Sequence, residues 1–568
     1  MMKPFDHNKF IGYLSEITPS YIKIQIPSSH LLDSFYYHGC IYESGLVGSF
    51  IVVEGQEFGF LCRIIEINLP QGEKIEITEN KIHKQNTNFH PIGKAEILGV
   101  FDVYRPEHIG KTVSRYPRIG AKVYACSDEQ IGHYISKFGE KDDEVNAPYS
   151  TIGFLTSNYT KCNISLNSLF GRHCAVLGTT GGGKSWTVAS LLESVNDNTN
   201  NKCILIDATG EYRNISLNMD NVIMGDGSHI FPYQRLTIDE LYFLLHPSSK
   251  TQVPKLMDAI RSLKIEKIDT LKDSNLTYNL KGNLVKAGQS KRPFEVFYFQ
   301  HVSQIENKTC DFDFNKLAGQ ITQECIWDTD RMDITKWGGR NDTDVSNCIS
   351  LISRINNLIN TEEYNKVFGF KLPDEEHHNS LIKFIENFLS SNKQILRIDF
   401  SNVSFDYQVR EILVDAIGRY LLEKARNNDF KNSPLIVFID EAHQFLNKHI
   451  ADEYFAAKPL DAFEQISKEA RKYGLFLCIS TQMPRDVPIA TLSQMGSFIV
   501  HRLINEQDKK AVENAASSAN RNILSFLPIL GEGEAILVGV DFPMPLTIKI
   551  RAPKNKPDSG TPKLVTKQ

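Results

Sequence analysis

Gly178-Thr-Thr-Gly-Gly-Gly-Lys-Ser-Trp186 is the stretch that decides the reading of this chain. Its first eight residues match the phosphate-binding pattern G-x-x-x-x-G-K-[ST] in full. The run before it, His173-Cys-Ala-Val-Leu177, is short and apolar, as a buried parallel strand requires. The run after it, Thr187 to Val195, continues as a helix. Strand, glycine loop and helix in that order turn the pattern into a mechanism: glycines let the backbone wrap closely around anionic oxygens, and the loop amides and helix N-terminus point at them. Gly178, Thr179, Thr180, Gly181, Gly182, Gly183, Lys184, Ser185 and Trp186 are therefore the candidate nucleotide-binding residues. Lys184 is expected to reach the β- and γ-phosphates and Ser185 to ligate Mg²⁺. The competing reading is a glycine-rich turn with a chance lysine.

A second element supports the first. Leu435-Ile-Val-Phe-Ile-Asp-Glu441 is an apolar strand ending in two carboxylates, the Walker B pattern. It assigns Asp440 to Mg²⁺ and Glu441 to the base that polarises the attacking water. Two acids at the start of a helix would also be stabilised by the helix dipole, so the pattern alone leaves a structural reading open. Phe476-Leu-Cys-Ile-Ser-Thr-Gln482 is another apolar strand, and Gln482 at its end is the candidate water-positioning sensor. Ile204-Leu-Ile-Asp-Ala-Thr-Gly-Glu-Tyr212 brings Asp207 and Glu211 to the same kind of strand end. Those two acids serve either the metal region or the turn itself, with Gly210 at positive φ. Arg172, Arg471 and Arg502 are candidates for an arginine that stabilises charge on the γ-phosphate, and each could equally be a surface ion-pair partner.

Working outward, 568 residues imply several domains, and 41% hydrophobic with 23% charged residues is ordinary for a globular protein. The net charge of −5 gives no overall basic excess, so contacts to nucleic acid would need local clusters of lysine and arginine. The ten cysteines are scattered without a C-x-x-C pair, which argues against a zinc site or a disulfide framework and for a reducing compartment. No apolar run is long enough to span a bilayer and the N-terminus lacks an apolar leader, so a cytoplasmic protein with no membrane partner is expected.

Residues 1–150 read as short strands, among them Tyr21–Ile26, Ser49–Val53, Phe58–Ile67, Lys94–Asp102 and Ala121–Tyr124, and suggest a small barrel with a tight turn at Glu54-Gly55-Gln56. Residues 151–230 and 391–551 alternate strands (173–177, 203–207, 394–400, 435–440, 475–480, 497–503, 534–540) with helices such as 407–426 and 461–473. That alternation implies a parallel sheet with its chemistry at the strand C-termini. Residues 231–390 interrupt it as a helical insertion: Thr237-x-x-Glu240 reads as a capping box, and two apolar faces follow at Leu351, Ile352, Ile355, Leu358, Ile359 and at Leu381, Ile382, Ile385, Leu389. The Pro- and Lys-rich end, 552–568, has the composition of a disordered tail, or of an extended one lying along a neighbouring subunit.

Taken together, these elements resemble the HerA family of hexameric ATPases in the HerA–FtsK branch. The resemblance is carried by Arg172-His-Cys-Ala-Val-Leu-Gly-Thr-Thr-Gly-Gly-Gly-Lys-Ser185, Asp207-Ala-Thr-Gly-Glu-Tyr212, Ile439-Asp-Glu-Ala-His443, Glu469-Ala-Arg-Lys-Tyr-Gly474 and Ser480-Thr-Gln482, with Ile11–Ile22 and Val47–Val53 similar to the family's N-terminal barrel. Gly182 stands where serine is common and Trp186 where asparagine is common. The resemblance implies a RecA-like P-loop ATPase core of the additional-strand catalytic-glutamate class, an N-terminal β-barrel and a helical insertion. It also implies a homohexamer with ATP and Mg²⁺ between subunits and double-stranded DNA in the central pore. By position, Arg172 is similar to the family's trans-acting arginine and Arg471 to a second, sensor-like one. An effector, either a nuclease or a sirtuin-like NADase, is implied as a partner docking on the barrel, with bacterial relatives acting in anti-phage defence. The alternative is an ATP-gated scaffold that assembles and regulates an effector without processive translocation; a conjugation-type coupling ATPase is disfavoured. Candidate pore segments are 447–458, with Lys448 and His449, and 335–341, with Lys336 and Arg340.

Overall fold

The structure is a computed structural model that describes residues 4–19, 21–32, 35–37, 40–42, 46–70, 89–110, 115–141, 144, 147–157, 159–271, 274–372, 380–446, 460–516 and 524–560. It divides into two compact units: residues 1–200 with 478–485 and 492–557, and residues 201–477 with 486–491 and 558–568.

The first unit begins with β1 (Phe10–Ile17) and β2 (Ile22–Gln25), then a ribbon of β3 (Phe35–Tyr37) and β4 (Cys40–Tyr42). β5 (Phe50–Val53), β6 (Phe58–Asn68), β7 (Ile92–Asp102), β8 (Arg105–Gly110) and β9 (Lys122–Ala125) follow. The order β2-β1-β9-β5-β6-β7 closes on itself through the β2–β7 pairing, giving a six-stranded barrel with β8 attached to β7. Alternation is the cause: Ile22, Ile24, Val53, Phe60, Ile64 and Ala95 point into one buried core, and closure leaves no free edge among those six strands. β5 and β6 form the expected hairpin, though Val53 pairs with Phe60, so the connection is longer than a tight turn.

After α1 (Asp128–Ser136), the same unit continues with β10 (Tyr149–Leu155), β11 (Lys161–Ser165), α2 (Leu166–Phe170), β12 (Cys174–Leu177) and α3 (Lys184–Asn198). Late in the chain come β17 (Leu475–Thr481), β18 (Ser497–His501), β19 (Glu534–Gly539) and β20 (Leu546–Ile550). Their order is β11-β10-β20-β19-β18-β12-β17. β12, buried throughout, is parallel to both neighbours, with Cys174 opposite Cys478 on one side and Ser497 on the other.

The second unit holds β13 (Lys202–Asp207), β14 (Met219–Ile223), β15 (Ile395–Asp399) and β16 (Leu435–Ile439) in the order β16-β13-β15-β14, all parallel. Its helices are α4 (Ile238–Leu245), α5 (Gln252–Ile268), α6 (Lys291–Gln300), α7 (Val302–Ile305), α8 (Leu317–Glu324), α9 (Asp342–Asn360), α10 (Glu362–Phe368), α11 (Leu381–Ser390), α12 (Val409–Arg426) and α13 (Ala462–Glu469). The capping box at Thr237 and Glu240 is present in both directions. On α11 the buried face is Leu381, Ile382, Ile385 and Phe388; Leu389, read as its last member, is only partly covered.

Nine of the ten cysteines, from Cys62 to Cys478, are free, and no helix among the described residues is long and apolar enough to cross a membrane. The pore segment 447–458 with Lys448 and His449 lies outside the described residues. Lys336 and Arg340 of the other segment are held by Asp333 and Asp342. In the described part of the tail, 552–560, Lys554 and Asn555 bond to Asp197 and Glu193 of α3.

Candidate functional site

In the first unit the loop 178–183 leaves the C-terminal end of β12 and turns into α3. Gly183, the N-cap, sits at φ 106°, and a Cβ there would lie 3.1 Å from Gly533 Cα. Glycine is required on both counts. No side chain caps α3, so its first-turn amides remain open to an anion. Lys184, largely buried, turns its Nζ onto the Thr179 carbonyl at 3.2 Å. A loop that folds its own lysine across open helix amides fits a polyphosphate. The loop is fixed from beneath: Arg502 O accepts from Thr179 N at 3.0 Å and from Thr179 Oγ1 at 3.2 Å. Gln482, just past β17, accepts from Thr180 Oγ1 at 2.5 Å.

His501 was missed by sequence reasoning. It ends β18, is fully buried under the loop, and would collide with a Cβ on Gly178 at 2.5 Å. Its Nε2 lies 2.8 Å from Thr187 Oγ1 and its Nδ1 2.9 Å from Glu534 O. Burial pushes its pKa down to about 4, the Glu534 carbonyl opposes this and the Lys184 charge adds to it, so the ring is neutral. A histidine closing an apolar strand beside a P-loop strand was the available signal.

Arg172 precedes β12, at the end opposite the loop. The strand Cys174–Leu177, about 13 Å long, separates it from the loop. It therefore does not reach its own P-loop. Its Nε instead bonds Asp541 Oδ2 at 2.9 Å, and Lys141 approaches the same oxygen at 3.3 Å. Trp186 stands at the start of α3, 38% exposed, with Lys556 Nζ 5.5 Å from its ring centroid.

In the second unit, Asp440 and Glu441 follow β16 at the C-terminal edge of the parallel strands, where α/β sheets place ligands. Glu441 adopts φ 46°, ψ 46°, a left-handed conformation that is strained for a glutamate and typical of residues held for function. Its Oε2 is buried without a hydrogen bond, 3.3 Å from His443 Nδ1. Tyr212, fully buried, faces Asp440, Asp207 and Glu211; burial first, and then those charges, hold its phenol well above the usual range.

Asp207 resolves its open reading. It accepts from Gly210 N at 2.8 Å, Tyr212 N at 3.2 Å and Arg397 Nε at 2.7 Å, with Gly210 at φ 84°. That is the bonding of a turn-forming carboxylate. Arg397, also missed, lies buried mid-strand on β15 and bridges Asp207 to Asp399, whose Oδ2 is 2.6 Å from its Nη2. Arg471 is exposed and unpaired among the described residues.

An uncapped helix behind a glycine loop, a lysine across it, and a parallel strand ending in an acid pair define a RecA-like P-loop ATPase. β12 has β17, not a strand ending in acids, as one neighbour, which is the additional-strand arrangement. A barrel precedes this core and a helical insertion interrupts it.

The family models "Helicase HerA, central domain" and "Helicase HerA-like C-terminal" match residues 150–424 and 421–556. The chain belongs to the HerA family of ATPases. It is 23% identical to a probable helicase of Methanocaldococcus jannaschii over 96% of this chain and 91% of that one. It is 25% identical to the DNA double-strand break repair helicase HerA of Sulfurisphaera tokodaii over 73% and 71%. Among solved structures, VirB4 of Thermoanaerobacter pseudethanolicus aligns at TM-score 0.43 and 13% identity, over 72% of this chain and 97% of that one.

Proposed function

We propose that the chain is an ATP-driven double-stranded DNA translocase or helicase that works as a homohexamer. The observation that carries this reading is the ordered loop 178–185, with Lys184 across open α3 amides and Gln482 bonded to Thr180, in a chain of the HerA family. Lys184 binds the β- and γ-phosphates, and Gln482 orients the attacking water. Glu441 takes the water's proton, with one carboxylate oxygen buried and free of hydrogen bonds. Ser185 and Asp440 would hold Mg²⁺, which supplies charge neutralisation between the phosphates when bound. Arg172 acts on a neighbour's nucleotide, and Arg471 serves as a second, sensor-like arginine. We assign 1–150 to the barrel domain, 151–230 with 391–551 to the ATPase core, 231–390 to the helical insertion and 552–568 to the tail.

The same reading includes an effector, a nuclease or sirtuin-like NADase, docked on the barrel and acting in anti-phage defence. Its support is the family resemblance of the sequence. The test is ATP turnover of the purified chain with and without linear duplex DNA, at rising salt, together with displacement of a protein roadblock. DNA stimulation that fades with salt, and roadblock removal, support translocation. Turnover indifferent to DNA replaces it with the ATP-gated scaffold.

A further inference from the structure

We propose that the indole of Trp186 is the platform on which the nucleotide base stacks, with Lys556 holding the opposite face of the ring. The proposal rests on the reading of residues 178–185 as the ATP site and adds the recognition of the base.

Direction along the loop comes first. Gln482 and Thr180 meet at one side, Lys184 reaches the β- and γ-phosphates, and Ser185 follows. The next amide, that of Trp186, belongs to the open first turn of α3 on the α-phosphate side, from which the nucleoside extends. The side chain at this position is a large aromatic left 38% exposed. An indole in water at a helix start contributes little to folding, whereas a π-face beside a nucleoside has an evident use.

The second observation is that the chain spends its tail on this ring. After β20, Arg551 Nη2 lies 3.5 Å from Glu193 Oε2, and Glu193 Oε1 accepts from Asn555 N at 2.8 Å. Lys554 binds Asp197 at 2.9 Å, and Pro553 and Pro557 are buried on either side. This strap along α3 sets Lys556 Nζ 5.5 Å from the indole centroid, within cation–π range. A lysine carries much rotamer freedom, and fixing its neighbours on both sides lowers the cost of placing it. A cation on one face leaves the other for a flat heteroaromatic ring. Purines, with the larger face, are favoured over pyrimidines.

The test uses the full-length chain with ATP, CTP and inorganic tripolyphosphate as probes. ATP is expected to quench tryptophan emission, tripolyphosphate is not, and the quench is lost in Trp186→Phe. Trp186→Ala should raise the Kd and KM for ATP about tenfold, with kcat within about twofold. It should leave tripolyphosphate binding unchanged, and Trp186→Phe should recover most of the loss. Lys556→Ala should weaken ATP about two- to fivefold, and CTP should bind more weakly than ATP to the wild type only. An unchanged ATP Kd in Trp186→Ala overturns the proposal, as does equal weakening of tripolyphosphate; in both cases the ATP site itself stands. A wild-type chain that binds neither ATP nor tripolyphosphate overturns the site and the proposal together.

Discussion

His501 Nε2 and Thr187 Oγ1 are 2.8 Å apart, and the chemistry of the other ring nitrogen decides which of them donates. Nδ1 faces the Glu534 carbonyl at 2.9 Å, and a carbonyl only accepts, so Nδ1 carries the proton. In the neutral ring Nε2 is then the acceptor, and the Thr187 hydroxyl donates to it. This one histidine ties the first turn of α3 to β18 and β19, and it does so as a neutral group.

Stability should depend on that neutrality. The His501 pKa falls from 6.5 to about 4 on folding, so between those values the unfolded chain binds a proton that the folded chain refuses. The unfolded state binding more protons means that stability rises with pH across this window and is fully present above about 6.5. The group contributes about 3 kcal/mol that is lost as pH falls toward 4. Thermal midpoints from pH 4 to 7 should therefore climb more steeply in the wild type than in His501→Gln. Parallel curves would remove His501 from the account.

Separating binding from hydrolysis tests the site itself. Lys184→Ala should abolish ATP turnover together with nucleotide affinity, because the cation folded onto the loop carbonyl is gone. Glu441→Gln should bind ATP as the wild type does and lower kcat by about 10²–10⁴-fold, the range for loss of a general base. Filter binding and steady-state turnover on the same preparations distinguish them. Lost affinity in Glu441→Gln would give that residue a structural part instead.

The Asp207–Arg397–Asp399 bridge makes a prediction about folding. Arg397→Ala leaves two fully buried carboxylates without their shared cation; backbone amides still donate to both, and the exposed Arg213 stays bonded to Asp399 at 3.0 Å. Removing one partner of a buried ionic cluster typically costs about 3–5 kcal/mol. Differential scanning calorimetry should show a markedly lower unfolding temperature. An unchanged one would mean that water or relaxation supplies what the structure assigns to Arg397.

What could be read from the sequence follows a physical divide. β12, β13, β16, β17, β18 and β19 are built on continuous apolar runs and β15 on one broken by Arg397; all are largely buried, and the sequence places each within a few residues. The Thr237–Glu240 capping box is a local device and was equally legible. β14 was missed because Met219-Asp-Asn-Val-Ile223 is a half-exposed edge strand with one fully buried side chain and no alternation to mark it. His501, Arg397 and Lys556 were missed for a different reason. Each acts on a residue far away in the chain, and no spacing rule reports that Arg397 meets Asp207 or that Lys556 returns to Trp186. The same limit leaves Asp207 open between metal and turn in the sequence, since one of its donors is the distant Arg397.

Arg172 offers the sharpest test of assembly. The length of β12, about 13 Å, lies between it and its own loop, and it is paired with Asp541, so it serves either that ion pair or a neighbouring subunit. If the pair is its whole purpose, Arg172→Ala and Asp541→Ala should behave alike, with a modest loss of stability and little change in turnover. If it acts in trans, Arg172→Ala should lower turnover by about 10³-fold or more with ATP binding retained, and Asp541→Ala should not. Mixing then decides. Glu441→Gln subunits lack the base and keep the arginine, while Arg172→Ala subunits keep the base and lack the arginine. A mixed ring contains interfaces where an intact Glu441 meets an intact Arg172 from the next subunit, so turnover should reappear on mixing two inactive variants. Absence of recovery, in rings shown by mass measurement to have exchanged subunits, would confine Arg172 to its bond with Asp541.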